Sequence, residues 1–205
     1  MYPAKPGLLI GFHGCDKPIC EKIINDQSML RDSDKDYNWL GTGMYFWENN
    51  PGRALHFAQE LNLHPQKGKA LIKEPAVLGA VIDLGFCLDL LEKEFIELVR
   101  QSYDTLTTSY GMLDLKLPEN RQVGDSKDLL LRKLDCAVIE NLHLYRKRRK
   151  LRPFDSARGL FREGDHLYPT AGFYEKSHIQ LCIRNPNCIK GFFLPRQEDT
   201  KWLVP

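Results

Sequence analysis

The apolar runs that can form strands are short and lie far apart, several in the first half and a pair near the end. Leu8 to Gly14 and Ala76 to Leu84 read as two of them, bounded by polar or glycine-containing turns. Ser177 to Ile183 and Cys188 to Leu194 are two more, separated by the turn-forming Arg184-Asn185-Pro186-Asn187. Between Trp39 and Trp47 lies a glycine-punctuated aromatic stretch, also strand-like. The segments between them do not supply a helix after every strand. The order therefore favours α+β over a doubly wound parallel sheet.

The helical segments fit the same picture. Pro18 to Asn25 is a brief helix-like stretch, followed by a polar loop from Arg31 to Asn38. Asn49-Asn50-Pro51 starts a second helix whose apolar side is Ala54, Leu55, Phe57, Ala58 and Leu61. Asp89 reads as the cap of a third, Leu90 to Thr105, with Leu91, Phe95, Leu98 and Val99 at helical spacing. Gly124 to Leu144 reads as a helix and then a strand at Cys136-Ala137-Val138-Ile139. At 205 residues the chain suits one domain, residues 1–205, with no repeat or linker to divide it.

No apolar run reaches the roughly 20 residues of a membrane helix, and Met1 to Pro6 lacks the apolar core of a secretory leader. Cys87, Cys136, Cys182 and Cys188 sit in or beside apolar runs, where reduced cysteine acts as a small hydrophobe. The spacings Cys15 to Cys20 and Cys182 to Cys188 match no usual zinc pattern, so no metal is expected. Together these features predict a cytoplasmic protein with no membrane contact. The net charge of +2 argues against general coating of nucleic acid. That sum hides a basic block: Arg146, Lys147, Arg148, Arg149, Lys150 and Arg152, with Arg158 and Arg162 behind. Its arginines suit bidentate phosphate contacts, either to a dinucleotide's pyrophosphate or to a nucleic acid.

Walker, GxGxxG, HExxH and GxSxG motifs are absent. Three segments offer polar groups at strand ends instead. Phe12-His13-Gly14-Cys15 ends the first strand. Leu40-Gly41-Thr42-Gly43-Met44-Tyr45-Phe46-Trp47 places glycines before aromatics, where a backbone can approach a flat ligand. In His178-Ile179-Gln180-Leu181-Cys182-Ile183, alternation puts His178, Gln180 and Cys182 on one face.

Taken together, His-Gly, then Leu-Gly-x-Gly-x-Tyr-Phe, then Ala54 nine residues beyond Tyr45, resemble the opening of ADP-ribosyltransferases. The likeness is to the diphtheria-toxin and poly(ADP-ribose) polymerase branch, and it covers the first 60 residues and roughly the last 30. It implies a split antiparallel β-core with flanking helices and an NAD cleft. The implied reaction cleaves NAD between nicotinamide and ribose, and passes ADP-ribose to a protein or nucleic acid. The setting implied for such a small member is toxin-like, an effector or a defence enzyme. Within the resemblance His13 and Gly14 hold NAD, Cys15 stands where a hydroxyl bonds the carboxamide, and Gly43 precedes Tyr45. Tyr45 stacks on nicotinamide, with His56 at the second stacking position.

The family's catalytic glutamate lies nine residues before a closing strand, and Gln180, nine before Ile189, takes that place. A carboxylate stabilises the positive charge of an oxocarbenium-like transition state, whereas a glutamine amide only holds the ribose hydroxyl. Glu163 and Glu175 are the alternative carboxylates. Arg158 is the candidate for the pyrophosphate. Two rivals remain open: an NAD glycohydrolase, and a non-catalytic module that binds NAD, ADP-ribose or RNA.

Overall fold

The computed structural model describes residues 7–65, 71–123, 128–197 and 199–202. The reading of Met1 to Pro6 and the start of the Gly124 segment lie outside these residues. The strands are β1 (Leu9–Asp16), β2 (Met44–Glu48), β3 (Pro75–Ile82), β4 (Cys87–Asp89), β5 (Asn120–Arg121), β6 (Leu131–Arg132), β7 (Ser156–Phe161), β8 (His178–Ile183) and β9 (Ile189–Phe193). The helices are α1 (Lys17–Asn25), α2 (Pro51–Leu63), α3 (Lys93–Met112) and α4 (Lys133–Arg148).

Among the described residues, seven strands form one sheet in the order β4-β7-β8-β2-β1-β3-β9, and β5 and β6 make a separate ribbon. The neighbours are antiparallel except β4 and β7, which run parallel at one edge. The fold is thus mixed α/β, with a mixed rather than wholly antiparallel sheet. β8 and β9 follow one another in sequence but do not pair, because the 3₁₀ turn Pro186–Cys188 carries the chain to the far edge.

The weakest seam in the sheet lies at its centre. β1 pairs β3 over eight residues, from Leu9↔Ile82 to Asp16↔Pro75. It pairs β2 only at Gly11↔Glu48 and Phe12↔Trp47. Beyond Phe12 the two strands part, and the His13 ring nitrogen Nδ1 crosses the fork to the Tyr45 carbonyl oxygen at 2.8 Å.

One face of the sheet carries α2 over β1 and β3, and α3 with α4 over β7 and β8. Phe12, Trp47 and Ala54 form the α2 cluster, and Phe95, Ile139, Leu142, Ala157 and Cys182 belong to the other. Asn50 caps α2, its side-chain oxygen accepting from the Arg53 amide, and Pro51 fills the first turn. Gly14 lets α2 come this close: a Cβ there would sit 2.9 Å from the Ala54 carbonyl carbon and closer still to its oxygen. The opposite face packs Phe46, Ile82, Leu181 and Ile183, with α1 covering Cys15 and Leu78.

Two local expectations change. Cys136 to Ile139 is not a strand but part of α4, where Cys136, Ile139 and Leu142 face the core at three-residue spacing. Asp89 does not cap α3, which starts at Lys93 after Glu92. It ends β4, accepts from the Leu91 amide and pairs with Arg158 inside the protein. β7 carries that arginine as a buried strand residue.

Candidate functional site

The three segments with the resemblance become neighbouring strands: β1 with His13, β2 with Tyr45 and β8 with Gln180. The cross-strand register sets Tyr45 opposite Cys182 and Trp47 opposite Gln180, so all four side chains share the helix-covered face. The expected grouping of His178, Gln180 and Cys182 holds: Cys182 belongs to the α4 cluster, while Leu181 and Ile183 lie in the cluster on the opposite face.

Gln180 sits where the α2 and α4 clusters meet. Its Oε1 accepts a hydrogen bond from the Trp39 indole N–H at 2.6 Å. Arg132, at the head of α4, lies with its guanidinium carbon 5.1 Å from the centre of the Trp39 ring and 4.2 Å from that of Phe161. Arg53, on the first turns of α2, lies 5.9 Å from the centre of the Trp47 ring and donates to Glu163 at 2.8 Å. The Phe161 and His178 rings stack, and Trp47 lies against both His178 and Phe57. The seam is therefore an aromatic floor bearing two guanidiniums and one amide. Burial lowers the pKa of Arg132, which places this cation in a poorly solvated setting.

Three buried polar atoms of the seam make no hydrogen bond among the described residues: Trp47 Nε1, Arg53 Nε and His178 Nε2. Trp47 is 4% exposed, His178 5%, and the Arg53 side chain 9%. His178 Nδ1 donates to the Lys176 carbonyl, and burial lowers its pKa, so the ring is neutral and Nε2 is an acceptor. Two donors and an acceptor in one apolar setting suit a ligand rich in hydroxyl and carbonyl groups.

Several expected roles fall differently. The His13 ring packs edge-on to Phe46, on the face opposite Tyr45 and Gln180, and burial keeps it neutral. His13 therefore ties the fork and does not share a face with the other two. The Tyr45 hydroxyl donates to the Gly41 carbonyl and accepts from the Leu40 amide, and burial raises its pKa well above 10. Gly14 pairs with Val77 and is a glycine because α2 packs on it. Gly43 has φ 158° and abuts the Ile183 carbonyl and Cys182 Sγ. Cys15 is buried on the α1 side, its Sγ 3.3 Å from that of Cys20.

His56 is exposed on α2 beside Arg53 and Glu60, not facing Tyr45. Glu163 joins the seam through Arg53, whereas Glu175 is exposed and accepts from the Asp165 amide. Arg158 is not available to a pyrophosphate. It is 6% exposed and bound to Glu48 and Asp89, on the face away from Gln180. Sequence reasoning missed Arg53 and Arg132. The only local hint was their position at helix starts, since nothing in the sequence brings residues 53 and 132 together.

No family model matches the chain, and no solved structure matches it. An uncharacterized protein of Methanocaldococcus jannaschii is 25% identical over 198 residues, covering 87% of this chain and 83% of its own length. Its name assigns no chemistry.

Proposed function

We propose that the protein is an NAD-dependent ADP-ribosyltransferase that moves ADP-ribose to a macromolecular acceptor. One observation carries the reading. Segments around His13, Tyr45 and Gln180, remote in sequence, are adjacent strands at the point where the sheet forks. The aromatic seam beside Gln180 supports it further, because a dinucleotide needs flat apolar surface and cations together.

In this reading the bond between C1′ of the ribose and the nicotinamide nitrogen breaks, and nicotinamide leaves with the electron pair. An acceptor nucleophile then attacks C1′ and loses its proton. The Tyr45 and tryptophan rings hold nicotinamide, and Gln180 orients the ribose hydroxyl. Arg132, the more exposed of the two seam arginines, takes over the phosphate role expected of Arg158. Glu163 is the seam's carboxylate and faces the developing positive charge. His13 acts as a positioning residue by holding Tyr45 at the fork.

Incubation with NAD, with nicotinamide followed by chromatography, tests the reading. Glu163→Gln is expected to reduce release by about 10²-fold or more, the usual scale for removing one electrostatic group. Gln180→Glu should preserve release or increase it. Absence of both nicotinamide release and calorimetric NAD binding would sink the proposal. A second reading has its own support: Trp39 occupies the Gln180 carbonyl and Arg53 neutralises Glu163, which suits a module that binds without turnover. NAD binding with no release, alone or with cell lysate and labelled NAD, selects that reading. Release without labelled macromolecule selects a glycohydrolase.

A further inference from the structure

Two thiols meet where β1 ends and α1 begins. The Sγ atoms of Cys15 and Cys20 lie 3.3 Å apart, and the residues are only 5% and 1% exposed. Asp16, Lys17, Pro18 and Ile19 alone separate them in sequence. The backbone fixes this turn without help from the sulfurs. The Asp16 carboxylate accepts from the Lys73 and Glu74 amides, and the Lys17 amide donates to the Glu74 carbonyl. Cys15 itself pairs with Ala76 on β3. A disulfide holds its sulfurs about 2.05 Å apart, so roughly 1.2 Å of approach remains.

The two thiols are not equivalent. The Cys15 S–H donating to Cys20 lowers the pKa of the Cys20 thiol and raises that of Cys15. Cys20 also stands in the first turn of α1, where backbone amides without a helical partner favour a thiolate. Burial pushes other cysteines the opposite way, Cys136 and Cys188 to about 11 and Cys182 to about 12. Cys136 and Cys182 donate instead to the Lys35 and Gly41 carbonyls. Cys20 is thus the nucleophile of the pair, and Cys15 is the second thiol placed to attack what it forms.

Access to the sulfurs is set by α1. Of its nine residues only Cys20 and Ile23 are buried. Asp16 at its cap makes no side-chain bond to it, because that carboxylate is engaged by the Lys73 and Glu74 amides. A helix this short, with so narrow an apolar face, opens locally at little cost. One helix layer therefore separates the pair from solvent, and a small neutral oxidant can pass it.

We propose that Cys15 and Cys20 are a dithiol that hydrogen peroxide oxidises to a reversible disulfide joining β1 to α1. The site lies on the sheet face away from Gln180 and is independent of whether the seam takes NAD. The Cys20 thiolate attacks one peroxide oxygen, the O–O bond breaks and hydroxide leaves, so Cys20 becomes a sulfenic acid. Cys15 gives its proton to that hydroxide, attacks the Cys20 sulfur and displaces the sulfenic oxygen as a second hydroxide. The second hydroxide takes the proton that Cys20 lost on ionising. Two thiols are thus oxidised to one disulfide, and one peroxide is reduced to two waters.

Brief treatment of the reduced full chain with hydrogen peroxide, followed by denaturation, alkylation with N-ethylmaleimide and mass spectrometry, tests this. Reduced protein carries six adducts, one per cysteine, and oxidised protein should carry two fewer, regaining them after dithiothreitol. Both cysteines fall in one tryptic peptide, because Lys17 precedes Pro18, and that peptide should be unalkylated and two hydrogens lighter. Closing so short a loop in a chain of this size should raise Tm by about 4–8 °C. Cys15→Ser should leave Cys20 as a sulfenic acid that dimedone traps. Cys20→Ser should label with dimedone at least about tenfold less.

Six adducts after peroxide overturn the inference, as does a disulfide to another cysteine or between two chains. Oxidation that dithiothreitol does not reverse, or a Tm below that of the reduced protein, also overturns it. Equal dimedone labelling of the two serine variants removes the assigned roles and overturns it as well. The mass reading on the unaltered chain decides the matter even where a variant fails to fold. Nicotinamide release from the reduced protein is a separate readout, so failure of NAD cleavage is distinguishable from failure of disulfide formation.

Discussion

Replacing Arg158 by methionine separates a structural arginine from a ligand-binding one. Its guanidinium bridges two carboxylates, with Nε 2.5 Å and Nη2 3.0 Å from Glu48 and Nη1 3.2 Å from Asp89. The Glu48 hydrogen bond is the first cause of its raised pKa. The Asp89 side chain is only 4% exposed, so Arg158→Met strands a carboxylate where water hardly reaches. Breaking a buried pair in this way costs about 3–5 kcal/mol. In a chain of this size each kcal/mol moves Tm by about 2–4 °C, so the variant should melt roughly 6–20 °C lower.

Thermal unfolding followed by circular dichroism measures the shift, and calorimetry measures NAD affinity at a temperature where both proteins are folded. Asp89→Asn in the same chain removes the stranded charge and should recover at least about half of the loss. If Tm stays within about 2 °C of the parent while NAD affinity collapses, the reasoning fails, and Arg158 returns to the ligand.

Gly14→Ala should destabilise by about 1–3 kcal/mol, because the new Cβ meets the α2 backbone at Ala54, which a side-chain shift cannot relieve; an unchanged urea midpoint contradicts it. Trp39→Phe keeps the ring but removes the donor to Gln180, and should cost about 1 kcal/mol by chemical denaturation. His13, His143 and His178 all have pKa values lowered by burial, His143 to about 4. The unfolded chain then binds more protons than the folded one below about pH 6.5, so stability is full above that value and falls toward pH 4. His143 alone should contribute on the order of 1–2 kcal/mol to the loss between pH 7 and 5, and a urea midpoint that is constant over that range refutes this.

What the sequence reveals and what it hides divide along local and non-local lines. The alternation in β8 and the Asn50-Pro51 start of α2 depend on neighbouring residues, and both are legible in the sequence alone. Cys136 to Ile139 misleads because four apolar residues fit either period, and only Leu142 beyond them completes the helical face. β7 hides because two of its buried residues, Ser156 and Arg158, are polar, and they are satisfied by Leu84, Glu48 and Asp89 far along the chain. The opposed faces of His13 and Tyr45 depend on the register between β1 and β2, where a one-residue slip would bring them onto one face. The arginines of the seam are legible only once α2 and α4 lie on one sheet.

The strand order also constrains synthesis of the protein. The group β1-β3-β9 draws its last strand from residues 189–193, and the group β4-β7-β8-β2 needs residues 178–183. Without β8, β2 is held to the sheet only by its pairing at Gly11 and Phe12 and by the His13 bond to the Tyr45 carbonyl, and β7 has an open edge. On the ribosome, then, the two groups cannot close until residues 178–183 and 189–193 have emerged. Nascent chains shorter than about 180 residues should remain open to protease and to chaperones, because the segment with Gln180 is also the one that joins β2 to β7.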